Sequence, residues 1–198
     1  MSLKKVGVLA LQGAFVEHVA ALRRLGVEAV LVRLPEQLEG LDGLVIPGGE
    51  STTISRLMHS YHLVEPIKAL AGQGKPIWGT CAGMILMAKQ NGAGNHTLGL
   101  MDVSVKRNAF GRQVDSFEAD LPVPALGEKP FRAIFIRAPL IEKVGGDVEV
   151  LSRLDDGTIV AARQKNFLVC SFHPELNGDR RFHEYFLRLI ADREYQKS

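Results

Sequence analysis

The chain has 198 residues, 46% of them apolar and 23% charged, with a formal net charge of +2. A chain of this size can bury a large core without disulfides or metal, and its composition is ordinary for a globular protein. So small a charge, with no lysine- or arginine-rich run, gives no ground for nucleic acid as a partner, and no stretch approaches the ~18 apolar residues of a membrane span.

Two cysteines and six histidines are scattered without C-x-x-C or H-E-x-x-H spacing, so neither a metal nor another cofactor is expected. Lys4 and Lys5 precede a short apolar run, but Gln12-Gly13 ends it without a convincing cleavage site. A buried first strand explains it better. A cytoplasmic, reducing setting with two free thiols is expected.

In chain order, residues 6–11 read as a strand buried on both faces. Phe15, Val19 and Leu22 follow at helical spacing, and Gly26 is a helix stop. Residues 29–32 and 44–46 are strands, the second cut off by Pro47-Gly48-Gly49. Residues 52–59 and 64–71 read as helices, the first with Ser51 as its cap. Pro76-Ile77-Trp78 leads a fourth strand into Gly79-Thr80-Cys81-Ala82-Gly83, and residues 84–89 read as helix. Strands alternating with helices imply a parallel sheet covered on both faces.

After a glycine-rich loop at 92–99, residues 101–105, 133–136, 148–154 and 158–162 are strand-like. Asp155-Asp156-Gly157 is a hairpin signal between the last two. Residues 167–172 form one more apolar run, ending at His173-Pro174-Glu175. The closing helix carries Phe182, Phe186, Leu189 and Ile190 on one face. No linker or repeat interrupts the chain. The expectation is one α/β domain over residues 1–198, with antiparallel strands added to a mostly parallel central sheet.

Gly79-Thr80-Cys81-Ala82-Gly83 has the form G-x-C-x-G, a nucleophile elbow with sulfur in place of oxygen. Its glycines let a strand turn sharply into a helix, whose N-terminus favours the thiolate. Ala82 N–H can face a developing oxyanion. A buried, inert cysteine is the plain alternative, and Cys170, inside an apolar run without glycines, fits that description. A thiol nucleophile needs a base and a group to orient the base. His173 directly follows a buried strand, at the end where α/β sheets place their sites. Glu175 is close enough to hold its tautomer. His18, His59, His62 and His183 sit among polar neighbours on helical stretches and His96 lies in the glycine-rich loop, so these five read as solvated or partly packed. Pro47-Gly48-Gly49-Glu50-Ser51 is a turn open to a ligand, and Gly49 N–H could join that of Ala82 in an oxyanion hole. These features fit a cysteine peptidase or a DJ-1-like enzyme as well as an amidase. A non-catalytic binding module is disfavoured by the intact Cys81, His173 and Glu175.

Leu9-Ala10-Leu11-Gln12-Gly13, Pro47-Gly48-Gly49-Glu50-Ser51-Thr52-Thr53, the elbow, Arg107-Asn108-Ala109-Phe110-Gly111-Arg112-Gln113, Phe135-Ile136-Arg137-Ala138-Pro139 and Ser171-Phe172-His173-Pro174-Glu175 together narrow the choice. They resemble class I, triad-type glutamine amidotransferases, and within them the glutaminase subunits of pyridoxal 5′-phosphate synthase, the PdxT family. The related imidazole glycerol phosphate synthase glutaminases share the triad but not the Glu-Ser-Thr-Thr and Arg-Asn-x-Phe-Gly-Arg-Gln runs. The resemblance implies a flavodoxin-like three-layer fold and a triad of Cys81, His173 and Glu175. It implies that glutamine is held by Gly49, Glu50, Ser51, Arg107, Ile136 and Arg137. It also implies a (β/α)₈-barrel synthase partner, twelve copies of each subunit in the assembly, and weak activity until docking.

Overall fold

The computed structural model describes residues 3–91, 97–107 and 116–195. His96, most of the glycine-rich loop and most of the Arg107–Gln113 run lie outside the described residues.

The first half winds as its hydrophobic pattern requires. Strand β1 (Lys5–Leu9) leads to helix α1 (Phe15–Arg24), β2 (Glu28–Val32) and β3 (Gly43–Ile46). Helices α2 (Ser51–Ser60) and α3 (Val64–Gly72) return the chain to β4 (Ile77–Thr80), and α4 (Ala82–Met87) follows the elbow. The expected helix over 84–89 stops at Met87, and β5 (Ala88–Gln90) joins the sheet. The cause is local: Leu98 and Leu100 N–H donate to the Leu86 and Met87 carbonyls, which cannot then continue the helix.

The second half adds β6 (Met101–Lys106), β7 (Ser116–Leu121), β8 (Phe131–Ile136), β9 (Leu140–Val144), β10 (Glu149–Arg153), β11 (Ile159–Gln164) and β12 (Phe167–Cys170), then α5 (Arg181–Tyr195). Of these, β7 and β9 have no counterpart in the sequence reading. The main sheet runs β2-β1-β3-β4-β12-β11-β9-β6-β5, with β10 on β11. Pairing is parallel from β2 through β12 and antiparallel across β12, β11, β9 and β6. Strands β7 and β8 form a separate antiparallel ribbon.

Alternation along the central strands assigns side chains to two cores. Leu44, Ile46, Ile77 and Val169 face one core, which holds Ile54 and Met58 of α2 and Ile67 of α3. Val45, Trp78, Leu168 and Cys170 face the other, which holds Val19 and Leu22 of α1, Phe182 and Phe186 of α5, and the inner face of the ribbon. No helix among the described residues is long and apolar enough to cross a membrane.

Because β3, β4 and β12 are adjacent and parallel, their C-terminal ends open side by side. The segments that follow them are 47–50, the elbow and 171–175. The topology thus delivers the three motifs to one edge although they are far apart in sequence.

Candidate active site

Cys81 occupies the sharp turn between β4 and α4, with φ +49° and ψ −106°. This conformation is rare for a residue with a Cβ, and it is held on both sides by contacts only glycine permits. A Cβ on Gly79 would lie 2.5 Å from the Gly83 carbonyl oxygen, and one on Gly83 would lie 1.9 Å from that of Ile46. Cys81 N–H donates to Cys170 O at 2.8 Å, so the ladder to β12 continues into the elbow.

His173 is buried, and its ring and the Cys81 side chain both lie against Gly48. Its Nδ1 lies 2.6 Å from Glu175 Oε1, and the Glu175 side chain is wholly buried. Burial alone would lower the His173 pKa. Hydrogen bonds to Cys81 and Glu175, and their charges, outweigh it and raise the value to about 10. His173 is therefore set to carry a proton between Cys81 and Glu175. Its own backbone N–H donates to Ile134 O at 2.8 Å, which pins the ribbon beside Cys81, His173 and Glu175.

Gly48 lies against the side chains of Cys81 and His173: a Cβ there would come within 2.4 Å of His173 Cε1. The turn is anchored by Ala14 N–H to Gly48 O at 3.0 Å and by Glu50 N–H to Gln12 Oε1 at 2.8 Å. Between those anchors, Gly49 N–H has no hydrogen-bond partner among the described residues, nor has Ala82 N–H.

The sequence reading made Ser51 the cap of α2, but Glu50 takes that place. Its carboxylate accepts from Thr52 N–H at 3.0 Å, Thr53 N–H at 2.7 Å and the Thr53 hydroxyl at 2.7 Å. The longer side chain reaches back over the first turn and leaves Ser51 buried, its Oγ without a partner among the described residues. The Thr53 hydroxyl first, then the backbone N–H groups, hold the Glu50 pKa down to about 2. Arg107, at the end of β6, reaches Glu50 Oε1 at 3.3 Å and the Thr52 hydroxyl at 3.4 Å.

A cavity of ≈ 500 Å³ collects Cys81, Ala82, His173, Gly49, Glu50, Ser51, Arg107, Ile136 and Arg137. Glu175 stands behind His173. Gln12, Ile85 and Pro139 also line the cavity; none was singled out as a site residue, although Gln12 and Pro139 fall in quoted motifs. Arg137 has φ +44° in the turn after β8, and the Ile136 carbonyl oxygen lies 3.9 Å from Cys81 Sγ.

Two other histidines depart from expectation. His18 and His183 are fully buried, not solvated. Each sits on the apolar side of its helix, where α1 and α5 pack over Trp78.

A thiol at an elbow, an imidazole, a buried carboxylate and two unengaged amides beside a small polar cavity are the groups that acyl transfer requires. The SNO glutamine amidotransferase family model matches residues 8–192. A pyridoxal 5′-phosphate synthase subunit PdxT from Herpetosiphon aurantiacus is 62% identical over 188 residues, covering 93% of this chain and 99% of its own. The protein of that name from Corynebacterium jeikeium is 55% identical over 191 residues, covering 95% and 97%. A crystal structure of a glutamine amidotransferase superposes with TM-score 0.89 at 50% identity, covering 94% of this chain and 98% of that one. The chain belongs to the SNO glutamine amidotransferase family.

Proposed function

We propose that this chain is the glutaminase subunit of a pyridoxal 5′-phosphate synthase: it hydrolyses L-glutamine to L-glutamate and ammonia and passes the ammonia to a synthase subunit. The observation that carries the reading is the cavity, which sets Cys81 and His173 beside an acidic and a basic side chain, Glu50 and Arg107. An amino acid carries both charges at its α-carbon and an amide at its far end. Glu50 suits the α-ammonium, and Arg107 with the Ser51 hydroxyl suits the α-carboxylate. Gly49, Ile136 and Arg137 would complete the wall.

In this mechanism the Cys81 thiolate attacks the side-chain amide carbon. The oxyanion is received by the N–H groups of Gly49 and Ala82. His173 gives its proton to the leaving nitrogen, the C–N bond breaks, and ammonia departs from a thioester on Cys81. His173, now neutral, takes a proton from water as the water oxygen attacks the thioester carbon. Collapse of that adduct releases glutamate and restores the thiolate. Glu175 keeps the His173 Nδ1 proton in place throughout.

The synthase partner is read as a (β/α)₈ barrel, assembled with this subunit as twelve copies of each, and residues 1–198 as one amidotransferase domain. Relatives named as pyridoxal 5′-phosphate synthase subunits support the synthase assignment. The test is ammonia release from glutamine with and without the purified synthase subunit. Release that rises with the synthase and vanishes in Cys81→Ala, while that variant still binds the synthase, is the expected result. Near-wild-type turnover in Cys81→Ala would overturn the assignment.

A further inference from the structure

We propose that His18 is a positioning residue of the triad: its Nε2–H, oriented by His183, is the second imidazole donor to the Glu175 carboxylate. The proposal rests on the glutaminase reading and adds a pair of residues to it.

The two oxygens of Glu175 stand in different circumstances. Oε1 is 2.6 Å from His173 Nδ1. Oε2 is buried without a hydrogen bond in the resting arrangement, and His18 Nε2 lies 3.3 Å from it. A buried carboxylate oxygen with no donor is costly, so the nearby nitrogen matters. His18 is itself fully buried, edge-on to Trp78 with ring centroids 5.5 Å apart. Packing alone would be met by a phenyl ring.

The proton positions follow from the neighbours. His18 Nδ1 is 3.0 Å from His183 Nε2, and His18 Nε2 is also 3.3 Å from the Thr80 hydroxyl. Burial keeps both imidazoles neutral, so each carries one proton. Suppose His18 were protonated on Nδ1. Its Nε2 lone pair would then face an anionic oxygen, and the His183 proton would sit on Nδ1, which has no partner among the described residues. The other tautomer removes both conflicts. His183 Nε2–H donates to His18 Nδ1, and His18 Nε2–H is shared between Glu175 Oε2 and Thr80 Oγ. The bare His183 Nδ1 is then buried as a lone pair with no proton left unpaired. The Arg180 charge, like burial, opposes a second proton on His183. His18 Nε2–H is then the donor nearest to Glu175 Oε2, 3.3 Å away.

The groups facing this row come from several elements. His173 and Glu175 follow β12, Cys170 ends it, and Cys81 occupies the elbow. Glu17 and Arg24 of α1, with Asp179 and Arg180 before α5, line a cavity with His183. Burial keeps the Cys170 thiol neutral, so the negative charge nearest to His18 is that of Glu175.

The test compares wild type, His18→Leu and His18→Gln in the full chain with its synthase subunit. In His18→Leu, kcat for ammonia release is expected to fall roughly 10–100-fold, the equivalent of one charge-assisted hydrogen bond, with KM nearly unchanged. Glutamine at 18 can present an N–H at the same place, so His18→Gln should recover most of the lost kcat. A folded His18→Leu with the wild-type kcat overturns the proposal, as does a His18→Gln no better than leucine. If wild type itself released no ammonia, the glutaminase reading would fall instead. Ring ¹⁵N shifts of the wild-type chain decide the donor row independently of activity and of whether the variants fold. His18 protonated on Nε2 supports it, and His18 protonated on Nδ1 overturns it.

Discussion

The backbone of Cys81 holds a conformation that costs on the order of 1–3 kcal/mol wherever a side chain is present. The fold keeps it because Gly79 and Gly83 allow α4 to press onto the ends of β3 and β4. Gly83→Ala would place a methyl 1.9 Å from the Ile46 oxygen, a backbone atom that cannot move aside cheaply. A loss of roughly 1–3 kcal/mol or more is expected in denaturant unfolding, with slower alkylation of Cys81 in the fraction that folds. A wild-type alkylation rate would show that the elbow does not need that approach. The elbow was legible because its steric demand is written within five consecutive residues. Gln12 was not, because its task is to accept from Glu50 N–H, and only folding brings the two together. His18 and His183 were misjudged from polar neighbours such as Glu17 and Glu184. Periodicity held the better signal: His18 falls three residues after Phe15 and four before Leu22, and His183 three before Phe186.

At the scale of elements, the start of α2 serves both the fold and the site. Glu50 caps the helix with the same carboxylate that faces the cavity. A carboxylate pulled below its ordinary pKa stabilises the fold above its unfolded value, and that contribution fades as pH falls toward the folded value. Here the window runs from 4.5 down to about 2. The side chain is largely exposed, so solvent screening discounts the effect. Glu50→Gln is expected to destabilise by on the order of 1 kcal/mol at neutral pH, with the gap closing as the pH drops through that window. It should also raise KM for glutamine, since the α-ammonium loses its counter-charge. An unchanged KM would remove Glu50 from the substrate site and leave it a cap. The parallel strands were readable because burial on both faces makes them continuous apolar runs. Strand β7 escaped because only one of its faces is covered, so Phe117, Ala119 and Leu121 alternate with exposed Ser116, Glu118 and Asp120.

At the scale of the molecule, α1 and α5 are joined on one face of the sheet by two buried neutral histidines, which makes stability depend on pH in a definite direction. Burial holds His183 down to about 4 from the ordinary 6.5, with the Arg180 charge adding to the effect, and holds His18 well below 6.5. Between those values the unfolded chain binds a proton at each position that the folded chain refuses. Stability must therefore fall as pH drops from 6.5 toward 4, by ~1.4 kcal/mol per pH unit for each proton. His173 behaves oppositely. Its pKa, raised to about 10, gives a contribution fully present below 6.5 and lost as the pH climbs through 10, so it adds no slope on the acid side. The acid slope can be isolated with His183→Leu, which removes one titrating group. Its absolute stability also reflects the lost contact with His18, so the slope carries the comparison. Unfolding free energies measured in urea from pH 7 to pH 4 are expected to fall less steeply in the variant, by ~1.4 kcal/mol per pH unit over the range where His183 alone accounts for the proton. Parallel slopes in the two proteins would mean that His183 is protonated in the folded chain. A protonated His183 could still donate to His18, but the pair would then be an acid-stable tie between helices and not the neutral one that burial dictates.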